Sequence, residues 1–457
     1  MTIPTYSGMG AALSGLEAMQ AGLDTTSNNI ANASNPDYAQ ETVNLVDSPS
    51  LRFYTGGGDN PGVEVGTGVM IQSISRGDDQ FIDGQYWTAN ANSSYYATLS
   101  SQLTNTEQDL NMSSTAGLQS ALNSFFSSWQ TLASTPTTGS GVIGAAQTLT
   151  QQLNAASQQI STLQSQAGTE VANITASGGE LDQYASSIAQ LNVQIAAQNA
   201  AGLSSNALQD QRAAAIDKLS ALANIKVTQQ TNGSDTITLV NSSGAPVGAA
   251  PLVDGGTPPT VPDPTTAVTL PAASDLPSIG GTIGALAQLA DTNASDPNAP
   301  LATMQSELDT FADNLATRVN NAVNPGGSGT DFFTPSSGLT AANIAVNPAV
   351  TPASLAGLGS TVASAVYSGQ TQATNDLATF VSQVGNTVAQ ATDSASTASS
   401  LLTNISNQRQ SVSGVSLDQE MTNLITYQQG YQASARVMNA LQSVIQTLIT
   451  SVGGAGL

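Results

Sequence analysis

Hydrophobic residues near the beginning of the chain follow a seven-residue repeat. The residues in this pattern are Met9, Leu13, Leu16, Met19, Leu23 and Ile30. Such spacing predicts a helix with one apolar stripe along its length. Asn35-Pro36 predicts where this helix stops, because a residue that precedes proline is disfavoured in the α conformation.

The last forty residues carry a longer stripe with the same period. Its residues seven apart are Leu417, Leu424, Tyr431, Met438, Ile445 and Val452, and between them lie Met421, Ala435, Leu441 and Leu448. The segment 412–415 predicts a loop, and Ser416 is the expected N-cap residue. We therefore predict a helix from about Ser416 to Val452, roughly 55 Å long at 1.5 Å per residue.

A long helix with a single apolar stripe needs a partner that covers the stripe. Each buried side chain of leucine size contributes roughly 1.5–3 kcal/mol, so ten exposed positions would be costly. The helix at the other end of the chain is the most economical partner, and the residues between the two helices would then form one nested insertion. Two ordinary core helices of a single bundle would give the same pattern, so periodicity leaves both arrangements open.

The interior of the chain is predicted to be mostly helical. Apolar periodicity indicates helices at 88–112, 115–133, 142–168 with a continuation to a break at Gly178-Gly179, 181–195, 208–222, 283–289, 304–319 and 373–410. Alternation at 225–229 and 236–240 around Asn232-Gly233 predicts a β-hairpin. Alternation at 62–74, together with Gly56-Gly57-Gly58, indicates a joint made of strands and turns.

These elements predict a mainly α protein with a small β insert. We expect a coiled-coil-like terminal domain of paired helices at 1–60 and 412–457. A central domain built as a bundle of long helices is expected at 61–224 and 280–411. The remaining segment, 225–279, is expected to form a small β-containing outer domain, and its part from 251 to 277 holds seven of the chain's 19 prolines.

Composition argues against several classes of partner. Charged residues are only 9% of the chain, and 8 Lys and Arg against 31 Asp and Glu give a net charge of −23. The basic residues are scattered singly, whereas binding of phosphate groups needs clusters of them, so neither nucleic acid nor an anionic membrane is expected as a partner. The first basic residue is Arg52 and no apolar run approaches ~18 residues, so we expect neither a cleaved signal peptide nor a membrane anchor.

Residues that carry chemistry are scarce. Cysteine and histidine are absent, which removes thiolate chemistry, the commonest general base and the commonest zinc ligand. The acidic cluster Asp78, Asp79 and Asp83 lacks the spacing of a calcium loop and is expected to be a solvated helix start. Glycoside hydrolysis by a pair of carboxylates stays open as an alternative. We expect a protein that is not an enzyme and has no catalytic residues, cofactor or metal.

Two terminal motifs resemble those of a known family. Residues 27–32 (SNNIAN), followed by Asn35-Pro36-Asp37-Tyr38, are similar to the N-terminal motif of bacterial flagellar rod, hook and hook-associated proteins. Residues 411–420 (SVSGVSLDQE) and 424–433 (LITYQQGYQA) resemble the C-terminal elements of the hook-associated protein 1, or FlgK, family. Interior residues Asp210-Gln211-Arg212, Gly280-Gly281 and Asp331-Phe332-Phe333 resemble further landmarks of that family.

The resemblance implies a structural protein of the flagellum. The resemblance implies that several copies form a ring that joins the hook to the filament. Their paired terminal helices would line the inner tube. The implied partners are other copies of the chain, the hook protein, the second hook–filament junction protein, and a cytoplasmic export chaperone at the C-terminal helix. The implied location is the extracellular flagellum, reached through the flagellar type III apparatus without a cleaved signal peptide.

The stripes and motifs together predict which residues form the assembly interface. They are Leu13, Leu16, Leu23, Asn28, Asn29, Ile30, Asn32, Tyr38, Val412, Gly414, Leu417, Met421, Leu424, Tyr427, Tyr431, Met438, Leu441 and Ile445. The sequence departs from the family pattern at Asp37, where glycine is usual, and at Ala39-Gln40, where a basic residue is common. Another axial protein (the second junction protein, the hook or the distal rod) is the nearest alternative, but the SVSGV element and the long helices argue against hook and rod.

Overall fold

The computed structural model describes residues 5–53, 63–110, 117–135, 139–248, 250–256 and 273–453. The glycine run at 56–58, most of the proline-rich segment and the predicted end of the 88–112 helix lie outside these residues. The helices are α1 Thr5–Asn32, α2 Gln80–Leu110, α3 Leu118–Ser134, α4 Gly139–Thr175, α5 Glu180–Ala200, α6 Asn206–Leu222, α7 Gly281–Ala290, α8 Pro300–Val323, α9 Pro352–Gly357, α10 Gly359–Ser368, α11 Gln370–Ser413 and α12 Leu417–Gly453.

The β structure consists of four antiparallel pairs of short strands. The strands are β1 Glu41–Asp47, β2 Leu51–Phe53, β3 Val63–Val65, β4 Val69–Arg76, β5 Ile225–Gln229, β6 Asp235–Leu239, β7 Phe333–Thr334 and β8 Ala345–Val346, and a short 3-10 helix spans Ala273–Ile279. They pair as β1 with β4, β2 with β3, β5 with β6, and β7 with β8. The prediction of a mainly helical fold with long terminal helices and small β elements is confirmed.

Helix ends follow local chemistry. The first helix stops at Asn32, three residues before the predicted stop signal Asn35-Pro36. Helix α2 starts at Gln80, eight residues earlier than predicted, because Asp79 Oδ1 accepts hydrogen bonds from the N–H groups of Phe81 (2.9 Å) and Ile82 (3.3 Å). Gly178 adopts a φ of +78° between α4 and α5, where the break was predicted.

An aromatic cluster lies at the centre of the helical body. Phe125, Phe126 and Trp129 on α3 are fully buried with Phe332 and Phe333, at the start of β7. The ring centres of Trp129 and Phe332 are 5.4 Å apart, and those of Phe332 and Phe333 are 4.8 Å apart in an edge-to-face arrangement. The five largest fully buried side chains among the described residues therefore meet in one cluster.

The hairpin β5–β6 packs onto the same core. Ile225, Ile237 and Leu239 are buried with the helices. Asn192 on α5 bonds to both main-chain groups of Asp235: its Nδ2 donates to the carbonyl (2.7 Å), and the N–H donates to Asn192 Oδ1 (2.9 Å). The hairpin prediction is therefore confirmed, with its turn at Asn232-Gly233, where Gly233 has a φ of +85°.

The terminal helices lie against each other, and α11 runs along α2. Helix α11 ends at Ser413, and α12 begins at Leu417, so three residues separate the longest helix of the body from the terminal pair. Among the described residues, no helix is long and apolar enough to span a membrane.

Phe332→Ala should lower the free energy of unfolding by about 3–5 kcal/mol, because it leaves a cavity in the aromatic cluster. Phe81→Ala is the matched control: Phe81 is 73% exposed, so the change should stay within about 0.5 kcal/mol. Denaturant titration followed by tryptophan fluorescence measures both, since Trp129 lies in the cluster. Equal effects of the two substitutions would contradict this placement of the core.

Candidate assembly site

Helices α1 and α12 pack antiparallel in a single register. Three facing pairs define it: Gly8 with Leu441, Gly15 with Ser434, and Gly22 with Tyr427. Each step of seven residues up α1 corresponds to seven residues down α12. The closest approach is at Gly22, where a methyl group would lie 2.7 Å from Tyr427 Cδ1, so the tyrosine ring needs a residue without a side chain opposite it.

The same register places a glycine of α12 opposite a large residue of α1. A methyl group at Gly430 would lie 2.5 Å from Met19 Sδ. A small residue therefore faces a large one in three of these four pairs, which lets the two backbones approach closely there. The glycine row Gly8, Gly15 and Gly22 has the seven-residue spacing of the apolar stripe but lies one position earlier.

Most of the predicted stripe lies at this contact. Half-buried positions on the two helices are Leu16, Leu23, Ile30, Leu424, Tyr427, Tyr431, Met438, Leu441 and Ile445. All but Tyr427 belong to the apolar pattern, and Tyr427 was predicted from the C-terminal motif. The side chains of Leu448 and Val452 are not among those described.

Three predicted stripe residues face solvent instead. Leu13 is 47% exposed, and Leu417 and Met421 are each 53% exposed, so their placement in the core of the pair was wrong. Leu13 follows Gly8 by five residues, which is about 140° around a helix. On α12 the residues that face α1 are Tyr427, Ser434 and Leu441, and Met421 and Leu417 lie about 120° and 80° around the helix from Tyr427.

The SNNIAN motif folds the chain back at the end of α1. Asn29 Nδ2 donates to the Glu41 carbonyl (2.9 Å), and the Glu41 N–H donates to Asn29 Oδ1 (3.0 Å). The Tyr38 hydroxyl also donates to Asn29 Oδ1 (2.7 Å). Burial, and then the charges of Glu41, Asp210 and Glu420, raise the pKa of Tyr38, so the hydroxyl keeps its proton and remains a donor.

The other two motif asparagines act locally. Asn32 Nδ2 donates to the carbonyl and the side-chain oxygen of Asn28, both at 3.0 Å. Asn28 Nδ2 donates to the Tyr38 hydroxyl at 3.3 Å. The structure thus brings Asn28, Asn29, Asn32 and Tyr38 together and gives the buried Asn29 the central position.

A charged network joins the end of α11 to α2 and α6. Arg409 Nε lies 2.7 Å from Asp83 Oδ1, and its Nη1 lies 2.6 Å from Asp217 Oδ2. Its guanidinium carbon lies 4.5 Å from the ring centre of Tyr86, and Trp87 Nε1 donates to Asp217 Oδ1 (2.8 Å). Burial raises the pKa values of both carboxyls, and the Arg409 charge opposes the shift.

This network shows that the prediction of a solvated Asp83 was wrong, and its other members were not predicted from the sequence. The carboxylate of Asp83 is not solvated: only 14% of its side chain is exposed, because it faces Arg409. Asp217 and Tyr86 gave no signal in the sequence, since the three segments are more than a hundred residues apart. The only available sign was Arg409 itself, one of 8 basic residues in a chain of net charge −23.

A groove lies between the turn that follows α1 and the loop that precedes α12. Its volume is about 630 Å³, and the two sides are residues 35–39 and 410–416. Val412 is 42% exposed on its rim. Gly414 lies beside it, and a methyl group there would lie 2.3 Å from the Gln410 carbonyl oxygen, so the loop requires glycine.

Two of the acidic residues on the wall of the groove are held in ion pairs. Within the described part of the chain, no group of three or more Asp or Glu residues is placed to hold a metal ion. The carboxylates of Asp83 and Asp217, on its wall, already pair with Arg409. What the site offers is a paired-helix surface with a rigid turn at its base.

Gly22→Ala should destabilise the helix pair by about 1–3 kcal/mol, because its methyl group overlaps the Tyr427 ring. Gly10→Ala is the matched control on the same helix: nothing lies within 4 Å of its added methyl group, so it should be neutral or gain up to about 1 kcal/mol. Thermal unfolding followed by circular dichroism compares the two. If both alanines have the same effect, the register is wrong.

Comparison with known proteins agrees with this geometry. The model of the family "Flagellar hook-associated protein FlgK helical domain" matches residues 103–333, about half of the chain. The models "Flagella basal body rod protein" and "Flagellar basal body rod FlgEFG protein C-terminal" match residues 9–38 and 406–451, the two ends that form the helix pair.

The chain is also similar to individual proteins of known identity. The chain is 28% identical over 512 residues to flagellar hook-associated protein 1 of Bacillus subtilis, covering 99% of both chains. It is 32% identical over 235 residues to flagellar hook-associated protein 1 of Salmonella typhimurium, covering 50% of this chain and 40% of that protein. A solved structure of the flagellar hook junction protein FlgK from Burkholderia pseudomallei is 27% identical, with a TM-score of 0.39 over 54% of this chain and 44% of that one.

Since the helical body matches a model specific to one family and both ends match models of flagellar rod proteins, the chain belongs to the flagellar hook-associated protein FlgK family of flagellar structural proteins.

Proposed function

We propose that this chain joins the hook to the filament of the flagellum and assembles with its own copies through the α1–α12 pair. The observation that carries the proposal is a second apolar face on α12 that α1 does not cover. Leu417, Met421 and Ile425 are spaced four residues apart and are 53%, 53% and 50% exposed. At this spacing the three side chains lie along one side of the helix.

Further along α12, more large apolar side chains face solvent. Val437, Val444 and Ile449 are 52%, 49% and 60% exposed, and Leu13 on α1 is 47% exposed. Val437 and Val444 follow Leu417 by 20 and 27 residues, so they lie about 160–180° around the helix from it. An isolated helix pair with apolar residues on several sides is typical of a subunit that packs against more than one neighbour.

The predicted interface residues divide into two groups on this proposal. Residues in the contact between α1 and α12, here called the seam, hold the pair together, as Leu424, Tyr427 and Leu441 do. Exposed residues such as Leu417 and Met421 contact neighbouring copies. Val412, beside the groove, belongs to the second group. The division explains why one continuous stripe in the sequence contains both covered and uncovered positions.

Partners and export follow from the same surface. In the assembled flagellum the neighbours would be further copies of the chain, the hook protein and the second hook–filament junction protein. Before export through the type III apparatus, a cytoplasmic chaperone on α12 would cover the apolar positions. The expected route leads outside the cell without a cleaved signal peptide.

The proposed role is structural rather than catalytic, and it keeps the predicted division of the chain. The pair and its turn (1–60 and 412–457) would form the inner part, the helices of 61–224 and 280–411 the outer wall, and 225–279 the outermost insert. A carboxylate-based glycosidase is the rival from another class. Enzymatic activity that survives removal of 1–40 and 412–457 would favour that rival.

Two adjacent substitutions test the proposal in a strain that lacks this gene. The deletion strain should make hooks without filaments and release flagellin to the medium. Ile425→Asp places a charge on the exposed face, so the purified protein should unfold within about 0.5 kcal/mol of the wild type, yet fail to restore filaments. Leu424→Asp places the charge in the seam and should destabilise the pair by more than about 2 kcal/mol.

Thr426→Asp is the control for the added charge, because Thr426 is exposed and polar already. It should restore filaments and motility. Filaments counted by electron microscopy give the readout for all three variants. Normal filament formation by Ile425→Asp would overturn the proposal that this face contacts a neighbour.

A further inference from the structure

We propose that Arg409, Asp83, Asp217 and Tyr86 form a clasp that closes one end of the helical body with charge in place of apolar packing, and that this end opens first. It is the end at which α2 begins and α11 finishes. The inference concerns the body alone and holds whether the terminal helices are paired or apart. It therefore does not depend on the proposed role at the hook.

Helices α2 and α11 lie antiparallel, so the start of one meets the end of the other. Arg409 Nε lies 2.7 Å from Asp83 Oδ1, and the hydroxyl oxygens of Ser100 and Thr392 lie 3.1 Å apart. Ser100 follows Asp83 by as many residues as Thr392 precedes Arg409, so both contacts belong to one register. The last turns of α11 therefore lie beside the first turns of α2.

Apolar packing becomes sparse toward this end. Six of the eight buried residues of α11 lie at 373–391, and the second half of the helix buries only Ala398 and Ile405. On α2, Ala89 is the one buried residue at 80–89, a range that the structure describes completely. Since alanine buries little apolar area, packing contributes little to holding these two helix ends together.

The guanidinium group of Arg409 supplies the link that packing lacks. It contacts Asp83 on α2 (2.7 Å), Asp217 on α6 (2.6 Å) and the ring of Tyr86 (4.5 Å to its centre). The Arg409 side chain is only 19% exposed, so water screens these interactions less than it screens a surface ion pair. One side chain thus joins three helices at a single point.

Asp217 is also held from a side that does not involve Arg409. Trp87 Nε1 donates to its Oδ1 (2.8 Å), and Asn90 Nδ2 donates to its main-chain carbonyl (2.9 Å). These bonds tie the start of α2 to α6. The end of α11 depends more on the clasp, because Arg409 is the single charged residue of the sequence at 394–413.

Opening this end exposes charge rather than a large apolar surface. Asp83, Asp217 and Arg409 gain water when they separate, and the second half of α11 uncovers little apolar area. The clasp can therefore break and re-form at a lower free-energy cost than the aromatic cluster around Trp129, which buries its rings fully. Local opening of the body is expected to begin here for that reason.

Hydrogen exchange of the full-length protein, followed by mass spectrometry, measures this opening. Segments 398–410 and 80–92 report on the clasp, 370–384 on the far end of α11, and 118–132 on the aromatic cluster. In the wild type, 398–410 should exchange faster than 370–384, although both belong to one helix, because few apolar side chains hold it.

Arg409→Gln should speed the exchange of 398–410 by about tenfold, since it leaves Asp83 and Asp217 without their cation. Exchange of 80–92 should rise less, because α2 keeps its own hydrogen bonds to α6. The two distant segments should be unchanged. Arg409→Lys keeps the charge but cannot bridge both carboxylates with the same geometry, so it should give an intermediate rate at 398–410.

Two controls separate the clasp from the terminal helices. Arg436→Gln removes the same charge from an exposed position on α12 and should change none of the four segments. Leu424→Asp breaks the seam and should also leave all four segments unchanged, because the clasp lies within the body.

Any of three results would overturn the proposal. The first is unchanged exchange of 398–410 in both Arg409→Gln and Arg409→Lys. The second is an equal rise at 118–132 in these variants, because Arg409 would then support the whole fold rather than one end. The third is faster exchange of 398–410 in Leu424→Asp, since the terminal pair would then hold this end of the body.

Discussion

The structure depends on the contact between the two ends of the chain. A row of glycines on α1 removes the side chains that would keep α12 away, and Tyr427 fills the space that Gly22 leaves. Because the chain begins and ends in one helix pair, every residue between belongs to a single insertion that leaves the pair and returns to it. The buried hydrogen bonds of Asn29 matter for the same reason, because they hold the start of the insertion against α1.

The charges of the chain serve this architecture. Arg76, Arg212, Arg318 and Arg409 each face a carboxylate from a distant segment, namely Asp210, Asp235, Asp376, and the pair Asp83 and Asp217. In a chain with a net charge of −23, half of the 8 basic residues therefore hold structural elements together. Removing one partner from a buried ion pair typically costs about 3–5 kcal/mol, a range that applies to Arg212 and Asp235, whose side chains are 5% and 9% exposed.

The sequence predicted the elements whose signals are local. Helix periodicity, the Asn-Pro stop and the Asn-Gly hairpin turn all act within a few residues, and the structure confirms them. On α1, the predicted contact row was one position away from the observed one. The apolar residues Leu16 and Leu23 have the same seven-residue spacing as Gly15 and Gly22, which face α12. Glycine carries no apolar signal, so only the facing helix shows why it is there.

Contacts between distant segments could not be predicted in the same way. Gln40 Nε2 donates to Glu420 Oε1 at 2.6 Å, although the two residues lie 380 positions apart. No local pattern in the sequence predicts this hydrogen bond. Strands β1 and β4 are similar: β1 alternates weakly, and its partner is separated from it by a connection of more than twenty residues. The SNNIAN motif indicated that the end of α1 is a special position. Its hydrogen bonds could not be predicted, because Asn29 bonds to Tyr38 and Glu41, which lie outside the motif.

A disulfide between the two ends tests the register most directly. A Cβ at Gly15 would lie 4.0 Å from Ser434 Cβ, within the roughly 3.5–4.5 Å that disulfides span. The double variant Gly15→Cys with Ser434→Cys should form a disulfide within one chain, in the monomer and in assembled flagella. Gly15→Cys with Tyr427→Cys, displaced by about 10 Å along α12, should not. Equal cross-linking of both pairs, or disulfides only between chains, would contradict the pairing of the two ends.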